Sequence, residues 1–373
     1  MSHVVIAPDK FKGTLTAGQV AEHVAAGLGR ARPGTDVVQV PVADGGDGTV
    51  AAAVAAGYRT MDMGVRGPTG KPVTAAFAFH DGTAIVEAAQ ACGLSRLPAG
   101  TFAPLTATSR GVGELILAAT RMRAKRVVLG IGGVATTDGG AGMIQAFGAR
   151  LRDDAGVDLA PGGAALARLG WIDLARLHDF AGIEFTVATD VDNPLLGAHG
   201  AAAVYAPQKG ATAEDVAFLE DGLIRWADTV EETLGTAYRD EPGAGAAGGI
   251  GFAAFAFLRA TAQPGIDLLL DLLSFPAKLD DARLVITGEG ALDSQTLHGK
   301  APVGVARAAA AVAPDIPVIA VAGVNKLAED QLRSAGITRA YALTDLEPDE
   351  AACRANPGPL LEELAERIAA DWL

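Results

Sequence analysis

The sequence is poor in features that define whole classes of protein. Cys92 and Cys353 are its only cysteines among 373 residues, too few for a disulfide framework or a zinc site. No apolar run approaches the ~18 residues needed to cross a bilayer. Residues 1–9 contain neither a basic segment nor a long apolar one. We therefore expect reduced thiols, no membrane partner and a cytoplasmic protein.

Positive charge and aromatic residues are also scarce. Lys and Arg number 30 against 44 Asp and Glu, giving a net charge of −14. An acidic surface repels polyanions, so nucleic acid is not an expected partner. Aromatic residues make up only 5% of the chain, whereas 50% is hydrophobic, mostly Ala, Val, Leu and Ile. Such a composition suits helices packed on a parallel sheet. The composition leaves the assembly state open, with a homodimer among the options.

Several catalytic signatures are missing as well. The chain contains no Walker A loop, no nucleophile elbow and no C-x-x-C pair. Gly130–Ala135 begins like a dinucleotide-binding fingerprint but does not end on glycine, which argues against a nicotinamide-dependent hydroxy-acid reductase. A non-catalytic small-molecule sensor would explain glycine-rich clefts, but not the aspartates that accompany them.

Four apolar runs break into loops made mostly of Gly and Asp. The loops are Ala43–Thr49, Gly130–Gly140, Asp190–Pro194 and Gly288–Ser294. Glycine lets backbone amides approach a phosphate closely, and aspartate supplies the hard oxygen ligands that Mg²⁺ prefers. Ligands of α/β proteins bind at the carboxyl ends of strands. The repeated pattern therefore indicates an enzyme that handles a nucleotide and magnesium.

The two ends of the chain share one alternation of strand, loop and helix. Five predicted strands form an open parallel sheet: 4–7, 37–41, 283–287, 317–322 and 340–343. We therefore predict an α/β protein with a discontinuous domain of residues 1–66 plus 281–373. Residues 67–280 form an inserted second α/β domain, and the active site is expected in the cleft that such an insertion creates.

The loop after the strand at 126–130 is the strongest candidate for binding phosphate, because it follows a strand and opens a helix. Its candidate contacts are Gly132, Gly133, Thr136, Asp138 and Gly139. The alternative is a tight turn whose glycines allow close helix packing.

Aspartate pairs follow two other strands. Asp190 and Asp192 face the same side if the backbone stays extended, and could then share a divalent metal ion. The alternative is an aspartate that caps a turn before Pro194. Asp44 and Asp47 could contact Mg²⁺ or a substrate hydroxyl, or one of them could cap the following helix.

Lysines and further carboxylates complete the candidate set. Lys10 and Lys12 follow the first strand, where a lysine near a helix N-terminus can clamp an anion. Glu289, Asp293 and Lys300 suit a phosphoryl-transfer site, in which charge neutralisation dominates. The alternatives are solvated lysines and a surface ion pair.

Seven stretches, in this order over nearly the whole chain, resemble the bacterial glycerate kinase family that includes the 2-phosphoglycerate-forming enzymes. They are Ala7–Gly13, Ala43–Thr49, Gly130–Met143, Ala188–Pro194 with Gly197, Pro207–Ala211, Pro242–Gly251 and Thr287–Lys300. The resemblance implies a flavodoxin-like domain with a second α/β domain inserted into it, which agrees with the five-strand count. It also implies ATP, Mg²⁺ and D-glycerate.

On this resemblance we expect transfer of phosphate from ATP to D-glycerate at O2, with a 3-phosphoglycerate-forming kinase as the alternative. Asp190 and Asp192 are assigned to Mg²⁺, and Asp44 or Asp293 to orienting the hydroxyl.

Lys12 and Lys300 are expected to clamp phosphate or carboxylate, and the amides of 132–140 to hold phosphates. Asp44, Asp190 and Asp293 should then converge in the interdomain cleft.

Overall fold

The computed structural model describes residues 2–373, with only the backbone of His298. Its strands are β1 (His3–Pro8), β2 (Val37–Gln39), β3 (Arg59–Arg66), β4 (Pro72–His80), β5 (Thr83–Glu87), β6 (Arg126–Gly130), β7 (Arg150–Arg152), β8 (Trp171–Asp173), β9 (Glu184–Ala188), β10 (Thr261–Gln263), β11 (Ala282–Leu292), β12 (Val318–Asn325) and β13 (Arg339–Ala342).

The α-helices alternate with these strands over most of the chain. They are α1 (Ala17–Ala31), α2 (Thr49–Ala55), α3 (Ala88–Cys92), α4 (Arg110–Arg121), α5 (Ala141–Ala146), α6 (Ala201–Tyr205), α7 (Ala213–Leu234), α8 (Ala246–Leu258), α9 (Gly265–Leu272), α10 (Phe275–Lys278), α11 (Ala301–Val312), α12 (Glu329–Ser334), α13 (Glu350–Ala355) and α14 (Pro357–Trp372). No helix among residues 2–373 has the length and apolarity to cross a membrane.

The chain divides into two compact units. Among the described residues, the first contains 2–44, 51–57 and 264–373, and the second contains 45–50 and 58–263. The boundaries differ from the expected 66/67 and 280/281. Residues 58–66 form strand β3 of the second unit's sheet, while 264–280 contribute α9 and α10 to the first unit's core. Both segments carry a local signal that the sequence prediction did not use: Met61, Met63 and Val65 alternate along β3, and Ile266, Leu269 and Leu270 recur at helical spacing in α9.

The first unit is built on a five-stranded sheet in the order β13-β12-β11-β1-β2. Every neighbouring pair is parallel. The five strands are those predicted from the sequence, so the parallel-sheet part of the fold prediction is confirmed. Alternate residues of β1 enter different cores: Val5 and Ala7 pack with α9 and α11, and Val4 and Ile6 pack with α1 and α14. Both faces are therefore covered, as parallel sheets require.

Helix α1 shows how local sequence fixes an element of this unit. Thr16 caps its start, accepting from the amide of Gln19 while the Gln19 side chain accepts from the amide of Thr16. Such a capping box satisfies two amides that the first turn leaves unpaired. Val20, Val24 and Leu28 recur at helical spacing and are fully buried.

The second unit has a six-stranded mixed sheet in the order β10-β9-β6-β5-β4-β3. Strands β5, β6, β9 and β10 are parallel, and β3 and β4 are antiparallel. Strands β4 and β5 form an antiparallel hairpin, and α8 ends at Leu258 shortly before β10. A separate antiparallel pair, β7 and β8, lies outside this sheet.

Candidate functional site

The first unit has a topological switch point where β1 ends beside Gly288 of β11. The two strands are adjacent and parallel, with Ala7 opposite Thr287 and Pro8 opposite Gly288. From β1 the chain goes to β2 on one side, and it later returns to β11 on the other. Strand order therefore reverses between β1 and β11, and open α/β sheets bind ligands at such a switch point.

Asp9 is the first residue after β1 at this switch point. Its amide donates to the Gly288 carbonyl at 2.8 Å, which ties the loop to β11. The carboxyl Oδ1 accepts from the Lys10 amide at 2.6 Å, and the residue is only 7% exposed. Burial raises the pKa of Asp9 to about 7; nearby Asp44 and Glu289 act in the same direction, and Lys10 opposes them. Sequence reasoning did not select Asp9, although it stands in the family-like stretch Ala7–Gly13.

The two lysines after β1 have different surroundings. Lys10 Nζ lies 3.8 Å from Asp9 Oδ1 and 4.0 Å from Asp44 Oδ1, so it bridges two carboxylates. Lys12 is exposed and forms no described hydrogen bond or ion pair with residues 2–373. The Lys12 backbone nitrogen lies 3.3 Å from the position that a Cβ at Gly290 would occupy. Of the two predicted anion clamps, Lys10 is thus the one set among the carboxylates.

The predicted loop Gly288–Ser294 is wrong over its first five residues, which continue β11 beside β12 as far as Leu292. This part of β11 contributes a second part of the cluster. Glu289 Oε1 accepts from the Thr296 hydroxyl at 2.5 Å, and its Oε2 lies 3.6 Å from Lys300 Nζ. Burial raises the pKa of Glu289, against the Thr296 hydrogen bond and Lys300, while Asp293 adds to the rise. Asp293 Oδ1 accepts from the Gln295 amide at 2.9 Å. The structure therefore brings together the predicted Glu289, Asp293 and Lys300.

The glycines of the 130–140 loop pack against residues 45–47 within the second unit. A Cβ at Gly132 would lie 2.6 Å from Gly46 Cα, and one at Gly133 would lie 2.6 Å from Asp47 Oδ1. Gly133 also adopts a positive φ of 74°, which favours glycine. Gly132 and Gly133 keep some surface, whereas residues 134–144 are all buried. These two amides are the part of the loop that solvent reaches.

Three predicted contacts of this loop have internal partners. Asp138 is fully buried and accepts from the Ser109 amide and hydroxyl and from the amides of Gly140 and Gly142. Thr136 is also fully buried. The Gly139 carbonyl accepts from the Trp226 indole at 2.9 Å. Asp138 and Gly139 therefore help to organise the loop, whereas the Thr136 hydroxyl has no described partner in residues 2–373. Their predicted contacts to phosphate stay predictions.

A buried lysine supports the same loop. Lys209 is 3% exposed, and its Nζ donates to the Thr136 carbonyl at 2.5 Å. Burial lowers the pKa of Lys209 to about 8, although Cys92 and Asp138 act in the opposite direction. Sequence analysis did not select Lys209, although it lies in the family-like stretch Pro207–Ala211. Only the tertiary structure shows that its ammonium group is inside.

The Gly/Ala stretch at 242–249 is packed rather than a flexible hinge. Ala247, Gly248 and Gly249 all have positive φ within the span assigned to α8. The Gly248 carbonyl accepts from the Gly139 amide, and the Gly245 amide donates to the Asn193 carbonyl, both at 2.9 Å. Small residues are needed because a Cβ at Gly248 would lie 2.1 Å from the Thr136 carbonyl oxygen.

Asp190 and Asp192 follow β9 and are both exposed. No group of three or more His, Cys, Asp or Glu side chains is placed to hold a metal by itself anywhere in residues 2–373. Mg²⁺ commonly takes one or two protein carboxylates and completes its shell with water and substrate phosphates. Two accessible carboxylates at a strand end therefore fit a magnesium ion that binds together with a nucleotide.

Glu87, at the end of β5, holds the loop at 45–50. It is 3% exposed, and its Oε2 accepts from the amides of Gly48 and Val50 at 3.2 and 3.1 Å. These amides belong to the start of α2, where backbone donors lack helical partners. The sequence suggested Asp44 or Asp47 as the residue that caps α2. In the structure, the Glu87 carboxylate at the end of β5 accepts from amides at the start of this helix.

Similarity to known proteins identifies the family of this chain. The model of the glycerate kinase family matches residues 4–373. The chain belongs to the glycerate kinase family. The resemblance stated from the sequence motifs is thereby confirmed, and so is the expectation of an enzyme of this family.

Individual relatives agree with this assignment. A glycerate kinase of Bacillus subtilis is 48% identical over 324 residues, covering 86% of this chain and 84% of the relative. A glycerate 2-kinase of Escherichia coli is 44% identical over 327 residues, with the same two coverages. A crystal structure of a provisional glycerate kinase 2 from Salmonella typhimurium superposes with a TM-score of 0.84 at 41% identity, covering 99% of this chain and 98% of the other. The fold and the family therefore agree.

The family favours a kinase over the reductase and the sensor considered from the sequence. The assigned roles of Asp44, Asp190, Asp293, Lys12 and Lys300, and the convergence of the three aspartates, stay predictions.

Proposed function

We propose that the protein transfers the γ-phosphoryl group of ATP to O2 of D-glycerate in the presence of Mg²⁺. Family membership over residues 4–373 carries this proposal. The relative named glycerate 2-kinase, at 44% identity, supports O2 as the acceptor. The lysines and carboxylates at the β1/β11 switch point are the groups that such a reaction needs, because phosphoryl transfer relies on positioning and charge neutralisation.

The residues of the first unit act on the acceptor and the transferred group. Lys10 and Lys300 supply positive charge beside Asp9, Asp44 and Glu289. A lysine ammonium can bind a carboxylate or phosphate as a point charge. Asp44 or Asp293 orients the attacking hydroxyl, and Lys12, exposed in this structure, reaches outward for an anionic group.

The second unit supplies the metal ligands and backbone donors. Asp190 and Asp192 would hold Mg²⁺, which neutralises charge on the phosphates when bound. Gly132 and Gly133 present amides to a phosphate. The buried contacts of Asp138 and Lys209 keep this loop in one conformation, so little reorganisation is needed when charge develops.

One experiment separates the proposed function from its alternatives. The purified protein is incubated with ATP, Mg²⁺ and D-glycerate, and the products are followed by ³¹P NMR. We expect ADP and 2-phosphoglycerate in equal amounts. A signal of 3-phosphoglycerate would instead establish the O3-specific alternative, and no glycerate-dependent loss of ATP would reject the kinase proposal. Omitting Mg²⁺ in the presence of a chelator is the matched control.

A further inference from the structure

Asp9 has surroundings unlike those of the other carboxylates in its unit. Only 7% of the Asp9 residue surface is exposed, and 10% of its side-chain surface remains accessible. Oδ1 accepts from the Lys10 amide, and Oδ2 takes no described hydrogen bond from residues 2–373. Burying a carboxylate that accepts a single described hydrogen bond is costly. The part of the side chain that stays accessible leaves the carboxyl group within reach of a ligand.

The position of Asp9 in the sheet also indicates that its carboxyl group contacts a ligand. The Asp9 amide is bonded to Gly288 of β11, so the carboxyl group is fixed at the point where strand order reverses. The charged groups around it are Lys10, Asp44 and Glu289. One cation and two further carboxylates therefore face Asp9 at the predicted acceptor site.

We propose that Asp9 is the general base that takes the proton of the glycerate hydroxyl during phosphoryl transfer. This inference rests on the proposed function. The hydroxyl O–H bond breaks and its proton passes to a carboxylate oxygen of Asp9. The hydroxyl oxygen forms a bond to the γ-phosphorus of ATP, and the bond from that phosphorus to the bridging oxygen breaks. ADP leaves with the bonding pair, and Asp9 later returns the proton to water.

The neighbouring carboxylates are less suited to this task. Asp44 has a third of its side-chain surface exposed, at 33%, so water solvates its charge. Asp293 is partly exposed, whereas Asp9 is buried, and Glu289 is engaged by Thr296 and Lys300. A general base works best when its pKa is near the operating pH, and burial raises the pKa of Asp9 to about 7.

The test compares Asp9→Asn and Asp9→Glu with the wild-type protein and with Asp315→Asn, an exposed aspartate of the same unit. Steady-state rates are measured from pH 5.5 to 9. For the wild type we expect kcat/KM for glycerate to fall on the acid side with an apparent pKa of about 7. For Asp9→Asn we expect kcat to fall about 100-fold or more and this acid limb to disappear. The KM for MgATP should stay within about threefold, and Asp315→Asn should match the wild type.

Lys10→Met provides a second readout that a purely structural Asp9 would not move. Removing this cation raises the pKa of Asp9, because Lys10 lowers it. The fall of kcat/KM for glycerate on the acid side should therefore lie at higher pH in Lys10→Met than in the wild type. It should be absent in Asp9→Asn.

Three results would overturn the assignment of Asp9. One is a wild-type profile that is flat between pH 5.5 and 8. Another is an Asp9→Asn variant with kcat within about threefold of wild type, and the third is an unmoved acid limb in Lys10→Met. A wild type that makes no phosphoglycerate would reject the proposed function together with this inference. Normal wild-type turnover with unaffected Asp9→Asn rejects the inference alone.

Discussion

Two buried aspartates differ because their hydrogen-bond partners differ. Asp138 accepts four hydrogen bonds from Ser109, Gly140 and Gly142 and has no exposed surface. Asp9 accepts one hydrogen bond from the Lys10 amide. Burial raises the pKa of both carboxyl groups, against four donors at Asp138 and one at Asp9. The four donors fix the Asp138 carboxylate within its loop, whereas one backbone amide holds that of Asp9.

Replacing Asp9 by Asn should stabilise the fold at neutral pH. The pKa of Asp9 is raised from 3.8 to about 7 on folding, so the folded state binds more protons between these values. Its contribution to stability is therefore complete below pH 3.8 and is lost as pH rises to about 7. At pH 8, Asp9→Asn should be more stable than wild type by about 1 to 4 kcal/mol, and near pH 4 by little. Urea unfolding at both pH values measures this; a loss of stability at pH 8 would contradict it.

Replacing Asp190 by Asn tests the magnesium assignment. Removing one of two proposed metal carboxylates should lower kcat by about tenfold or more and raise the Mg²⁺ concentration for half-maximal rate. Asp62→Asn, an exposed aspartate on β3, is the matched control and should behave as wild type. If kcat of Asp190→Asn stays within about threefold, a change below ~1 kcal/mol, the metal role is wrong.

At the scale of elements, contact between helices sets which small residues are required. Gly27 and Gly29 lie two residues apart in α1 and read alike in the sequence. A Cβ at Gly27 would lie 2.2 Å from the Glu362 carbonyl oxygen of α14, whereas a Cβ at Gly29 would have nothing within 4 Å. The packing of α1 on α14 therefore depends on the first glycine and not on the second.

Alanine at these two positions should have opposite effects. Gly27→Ala forces two backbones apart and should destabilise the fold by about 1 to 3 kcal/mol. Gly29→Ala should stabilise it by about 0.5 to 1 kcal/mol, because alanine has the higher helix propensity. Thermal unfolding of both variants beside wild type measures the difference. Equal effects of the same sign would show that α1 and α14 are not packed as described.

At the scale of the whole molecule, each unit has its own sheet and its own core. The candidate residues are divided between them: Asp9, Lys10, Glu289 and Lys300 belong to the first unit, and Gly132, Gly133, Asp190 and Asp192 to the second.

MgATP should raise the melting temperature of the intact protein. A ligand that binds only the folded state adds about 2.7 kcal/mol at 100 times its Kd. For a chain of this size we expect a rise of about 5 °C or more in differential scanning fluorimetry, since 1 kcal/mol corresponds to roughly 2–4 °C. A control with sodium sulfate at the same ionic strength as the MgATP sample separates the effect of binding from the effect of salt. No shift at millimolar MgATP would argue against a nucleotide substrate.

The sequence by itself determined the five parallel strands, the Gly/Asp loops after β2, β6 and β9, and the family. Strands β1 and β12 contain continuous apolar runs, so their burial on both faces is encoded locally. The capping box of Thr16 and Gln19 is equally local. The predicted set of Glu289, Asp293 and Lys300 also came together, because its members lie within a dozen residues of one another.

Only the tertiary structure decided which of the candidate groups are buried and what they bond. Lys10 and Lys12 have the same side chain and nearly the same position in the sequence, but only Lys10 lies beside Asp9 and Asp44. Glu87, Asp138 and Lys209 bond to segments between 29 and 73 residues away. The pKa of Asp9 depends on Glu289, 280 residues further along the chain. Burial and long-range hydrogen bonding arise from packing, and no local pattern of residues records them.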